Sequence, residues 1–116
     1  MKNLISISLF ILFFGTLAAQ QTAVFTNELV NYNKALELYN NNQYLASQGL
    51  FSAIKDHAED ETLKGDCAYY IANCAVRLNQ QDADFLMEQF VNDYPTSIKR
   101  NDAFINVANY YFENGK

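Results

Sequence analysis

The run FLMEQFVNDYPTSIKRNDAFINVANYY, Phe85 to Tyr111, decides the fold once it is set beside the earlier YYIANC, Tyr69 to Cys74. Ile71-Ala72-Asn73 returns as Val107-Ala108-Asn109, and the sole proline of the chain, Pro95, stands between them. A shift of 36 residues aligns Tyr32 with Ala68 and Phe104, Ala35 with Ile71 and Val107, Leu36 with Ala72 and Ala108, and Tyr39 with Ala75 and Tyr111. The same shift pairs Ser47 with Ala83, Phe51 with Met87 and Ile54 with Phe90. One period running through two apolar stripes describes a helix-turn-helix unit present twice and begun a third time.

Working outward, the spacing predicts helices and no strands. Leu29, Tyr32, Ala35, Leu36 and Tyr39 form one apolar stripe over 26–40, and the Asn40-Asn41-Asn42 run ends it, because Asn tolerates the left-handed turn that terminates helices. A second helix is predicted over 44–57 and a third over 63–78, the latter capped by Asp60 or Thr62. A fourth runs over 82–93 with Asp82 as its N-cap, and Pro95 stops it because the residue before a proline is pushed out of the helical region. Ser97 is positioned to cap a fifth helix, which ends at Gly115.

These positions resemble the tetratricopeptide repeat family, whose unit sets small residues where two helices cross and aromatic residues around them. Leu36, Ala72 and Ala108 fall at the family's small position in the first helix of each unit, and Tyr39, Ala75 and Tyr111 at its aromatic one. Ser47 and Ala83 match the small residue of the second helix, and Pro95 the closing proline. The ending FVNDYPTS, Phe90 to Ser97, is similar to that of exported bacterial envelope repeat proteins of the outer-membrane assembly and Tol-Pal-associated type. The resemblance implies an all-α, right-handed α-solenoid of about two and a half units, 26–60, 61–96 and an incomplete 97–116. It also implies a non-catalytic scaffold that holds a partner protein or peptide on the concave face of the first helices. Carried onto this sequence, that face comprises Asn33, Glu37 and Asn40, then Tyr69, Asn73, Val76 and Arg77, then Ile105, Asn109, Phe112 and Glu113. Asn73 and Asn109 occupy one repeat position, where a side-chain amide both donates to and accepts from an extended peptide backbone.

The N-terminus points to export. Lys2 precedes the apolar LISISLFILFF, Leu4 to Phe14, and then the small residues of GTLAA, the layout of a secretory signal peptide. Residues 1–19 are read as that signal, cleaved after Ala18 or Ala19, and 20–25 as a linker. The protein is then expected to be periplasmic or outer-membrane associated, with a mature part that does not span the membrane. With 8 basic against 13 acidic residues and a net charge of −5, nucleic acid is excluded as the expected partner, since phosphate binding needs a basic face.

No residue pattern points to catalysis, a cofactor or a metal. The single histidine, His57, stands beside Asp56 at a helix end with no second His or Cys at zinc spacing. Glu59-Asp60-Glu61 lacks the Gly-containing loop of a calcium hand. Cys67 and Cys74, seven residues apart on one helix, are about 10 Å apart along its axis, too far for a bridge, and are read as small buried residues. The fifth helix has no following partner in the sequence, so FINVANYYF is expected either to belong to a longer repeat protein or to dock on another chain or on itself. An exported sensor region of a membrane-bound signalling protein and the helical platform of a cell-wall enzyme remain alternatives to the scaffold.

Overall fold

The computed structural model describes residues 27–115, so the signal segment and the linker lie outside the described residues. The chain divides into two units, Met1–Val30 and Asn31–Lys116. Helical residues 27–30 fall in the first unit and the other described residues in the second. The described residues are all helical with turns between and contain no strand: α1 (27–40), α2 (Tyr44–His57), α3 (Glu61–Arg77), α4 (Ala83–Asp93) and α5 (Arg100–Glu113). None of these helices is long and apolar enough to cross a membrane.

Local chemistry sets the boundaries. Of the two candidate caps Asp60 and Thr62, Asp60 caps α3, which starts at Glu61 and not at 63, its carboxylate oxygens accepting from the backbone N–H groups of Thr62 and Leu63 at 3.2 Å. Asp82 holds the N-cap position of α4 without a side-chain hydrogen bond. Ser97 does not cap α5. Its Oγ accepts from Lys99 N at 3.2 Å and its carbonyl accepts from Arg100 N, closing a turn ahead of a helix that starts at Arg100. Left-handed residues follow α1, α3 and α5, namely Asn42 (φ 61°), Asn79 (φ 55°) and Gly115 (φ 70°). After α2 and α4 the chain leaves instead in extended or irregular conformation at Ala58 and Tyr94.

α3 is the central element, packed against α2, α4 and α5. One core joins α1, α2 and α3 through Ala35, Phe51, Ile54, Leu63 and Cys67. Phe51 stacks on Tyr70 with centroids 4.8 Å apart and meets Tyr32 edge-on at 5.5 Å. The second core joins α3, α4 and α5 through Tyr69, Ala72, Ala75, Met87, Phe90 and Ala103. Between the first two helices the crossing is made by Ala35 rather than Leu36: Ala35 is fully buried, and its carbonyl accepts from Ser47 Oγ at 2.9 Å. Leu36 is half-buried beside it.

The burial pattern revises the register of the first two stripes. The 36-residue shift holds from α2 to α4, where Ser47, Phe51 and Ile54 and their counterparts Ala83, Met87 and Phe90 are all buried. From α1 to α3 the match is better at 37, pairing Ala35 with Ala72, both fully buried, and left-handed Asn42 with left-handed Asn79. From α3 to α5 it returns to 36, pairing fully buried Cys67 with Ala103 and Asn79 with Gly115.

Candidate binding surface

α3 and α5 carry eight of the residues that the sequence places on a partner-binding face, and the structure divides them. Tyr69, Asn73 and Val76 are buried, with 6%, 3% and 3% of their surface exposed. They line the inner side of α3: Tyr69 meets Phe90 of α4 edge-on at 5.7 Å, and its hydroxyl accepts from Asn106 Nδ2 of α5 at 2.6 Å. The Asn73 amide donates to the carbonyl of Tyr69 on its own helix at 3.1 Å. It is therefore spent internally, contrary to the expectation that it is offered to a peptide. Arg77 is exposed and lies over the ring of Tyr110 at 5.1 Å.

On α5 the pattern inverts. Ile105 and Phe112 are 57% and 86% exposed, and Asn109 between them is exposed as well. Spacings of four and three put these side chains in a single stripe on the outer side of the helix. Asn33, Glu37 and Asn40 of α1 also face solvent, Glu37 paired with Lys34 at 3.3 Å.

α5 is held to the rest of the chain mainly by α3. Ala103 is fully buried, and Val107, Tyr110 and Tyr111 pack on the core beneath. Its contact with α4 is slight. There Tyr111 donates to the Asp84 carboxylate, a bond that pushes the phenol up to about 12, with burial adding to it. Beside this bond an open groove of about 520 Å3 runs between the two helices, floored by Met87, Val91, Phe104, Val107 and Ala108.

Two further contacts give the surface its charge pattern, and no spacing in the sequence announces them. Lys99 Nζ sits over the rings of both Tyr69 and Tyr70, at 5.5 and 5.3 Å, and partly offsets the burial that raises the Asp66 carboxyl. Gln48 and Gln80 exchange amide hydrogen bonds at 2.8 Å, tying α2 to the turn before α4.

No group of three His, Cys, Asp or Glu side chains among the described residues is arranged to hold a metal ion. Cys67 and Cys74 are both buried, and burial pushes the Cys74 thiol up to about 11 while a hydrogen bond with Ser47 works the other way. That thiol is held protonated and shielded, the opposite of a reactive cysteine. No family model, curated protein or solved structure matches the chain.

Proposed function

We propose that this protein is a non-catalytic protein-binding scaffold of the bacterial cell envelope, exported and then periplasmic or outer-membrane associated. Its helices form a tetratricopeptide-like right-handed solenoid in which α1, α3 and α5 are the first helices of successive units and α2 and α4 the second ones. The observation that carries the binding role is the outer stripe of α5, where Ile105 and Phe112 expose 57% and 86% of their surface in one row with exposed Asn109. Large apolar side chains held in one row on a helix mark an interaction surface. The repeat architecture is supported by the left-handed residues that follow α1, α3 and α5 but not α2 and α4.

The test is a photo-crosslinking amino acid placed at position 109 in the producing cell. Adducts to a distinct polypeptide, lost when Phe112→Asp is added, are expected. Adducts that form equally well from exposed Asn33 and survive Phe112→Asp refute the assignment. Export is checked by fusing residues 1–25 to alkaline phosphatase, which is active only outside the cytoplasm; an inactive, stably expressed fusion rules it out.

A further inference from the structure

The two cysteines of the chain, Cys67 and Cys74, stand seven residues apart on the central helix, and both are fully buried. Seven residues make nearly two full turns, so the two side chains leave α3 on one face. Cys67 lies in the core that Ala35, Phe51 and Ile54 build. Cys74 bonds to Ser47 of α2, whose own hydroxyl donates to the Ala35 carbonyl at 2.9 Å. The rise of the helix sets the two Cα atoms about 10 Å apart, whereas a disulfide spans no more than about 7 Å. The helical chain therefore cannot hold a Cys67–Cys74 bond.

The unfolded chain can. Only six residues, Ala68 to Asn73, separate the two thiols, and a loop of about that length closes in roughly 10 to 100 ns. In the folded protein those same residues carry the contacts that join α3 to its neighbours on both sides. Tyr70 stacks on Phe51 of α2 at 4.8 Å, Tyr69 meets Phe90 of α4 edge-on at 5.7 Å, and Ala72 is fully buried. Drawing the two sulfurs together unwinds this stretch and takes both cores apart. Fraying of a helix end does not substitute for it, because the stretch lies in the middle of α3, the element against which α2, α4 and α5 all pack.

We infer that α3 is a redox switch of the fold: the native helix and a Cys67–Cys74 disulfide exclude each other, so that oxidation, open only to the unfolded chain, withdraws it from folding, and reduction returns it. One thiolate of the pair attacks a disulfide oxidant, glutathione disulfide being the simplest, and expels one glutathione thiol; the second attacks the mixed disulfide and expels the other. One S–S bond forms in the chain and one breaks in the oxidant, and the two protons and two electrons that leave the cysteines end on the two glutathione thiols. The inference rests on the geometry of α3 and not on the scaffold role. The export proposed above gives it a consequence, because disulfides form outside the cytoplasm and α3 has then to close before its thiols meet an oxidant.

The test follows the full chain with glutathione disulfide, in urea and in water, by mass and by helical circular dichroism, with the reduced chain carried through the same urea cycle as reference. In urea the pair is expected to close, giving a monomer lighter by two hydrogen atoms. On dilution that product is expected to lack native helicity until dithiothreitol is added. In water the folded chain is expected to oxidise at least about a hundredfold more slowly, since its thiols react only through the rare unfolded state. Phe90→Ala, which weakens the other core and leaves both cysteines in place, is expected to speed that oxidation. An oxidised monomer that regains the reference helicity and urea midpoint overturns the inference, as does oxidation of the folded chain at the unfolded rate. Mixed disulfides or covalent dimers in place of the internal bond overturn it too. So does helicity that dithiothreitol fails to restore, or an oxidation rate in water that Phe90→Ala leaves unchanged, because the thiols are then reached without unfolding.

Discussion

Phe51→Ala is the sharpest test of how the helices are held together. The ring is fully buried where α1, α2 and α3 meet, stacked on Tyr70 at 4.8 Å and edge-on to Tyr32 at 5.5 Å. Truncating a buried phenylalanine costs about 3 to 5 kcal/mol, the lost transfer energy plus the cavity left behind. Each aromatic pair adds about 0.5 to 1.5 kcal/mol beyond area, so the upper end applies, about 4 to 5 kcal/mol. A domain of about 90 residues holds about 5 to 13 kcal/mol in all, so the substitution removes a third or more of its stability. The assay is urea unfolding followed by helical circular dichroism, with the midpoint falling and the slope unchanged. Phe112→Ala is the internal comparison: at 86% exposure it should stay within about 0.5 kcal/mol of the parent. A Phe51→Ala cost under about 1 kcal/mol, or a Phe112→Ala cost equal to it, would refute the packing described for both rings.

Ser47→Ala should cost about 1 kcal/mol, because it deletes the buried bond to the Ala35 carbonyl at 2.9 Å while keeping the crossing small. That is a melting shift of about 4 to 8 °C in a domain of this size, and no shift would mean the bond contributes nothing. Gly65→Ala sets a Cβ 3.0 Å from Tyr94 Cδ1 and 3.2 Å from Cγ, a contact made by the body of the ring and not by its flexible tip. Loss of about 1 to 3 kcal/mol is expected from overpacking, against about 1 kcal/mol of gained helix propensity; a net stabilisation would show that the ring moves freely. Asp66 has its carboxyl raised, first by burial, with Lys99 opposing and Asp60 reinforcing. A raised carboxylate is a penalty on the folded state above its folded pKa, and the penalty disappears as pH falls through that range. Asp66→Asn should therefore melt above the parent at pH 7, with the gap closing toward acid; a lower melting point at pH 7 would mean that the attraction to Lys99 prevails.

The helices were legible because their apolar residues recur at three and four, and because Asp60 and Pro95 are strong local punctuation. The true start of α5 was not, since Ser97 has the chemistry of a cap but spends its hydroxyl on Lys99 N in the preceding turn. The burial of Cys67 and Cys74 was legible too: seven residues apart on one helix, they are too distant for a bridge and read as small core residues, and the structure buries both. Lys99 over Tyr69 and Tyr70, and Arg77 over Tyr110, bring together residues from different helices, so no local spacing encodes them.

Tyr69, Asn73 and Val76 face the core and not the solvent for a geometric reason that one residue explains. A helix turns 100° per residue, so an error of one in register rotates a whole stripe by more than a quarter turn. A uniform shift of 36 equates Tyr69, Asn73 and Val76 with the exposed Asn33, Glu37 and Asn40, and so reads them as an outward face. The shift of 37 equates them with Tyr32, Leu36 and Tyr39, which look inward on α2. The signal was in the sequence: Asn42-Gln43 and Asn79-Gln80 are 37 apart, and both asparagines take the left-handed conformation that ends a helix. Anchoring the alignment on helix ends instead of apolar residues therefore changes what Ile105, Asn109 and Phe112 are. They stand at the repeat position that α2 covers on α1 and α4 covers on α3, and on α5 they are exposed.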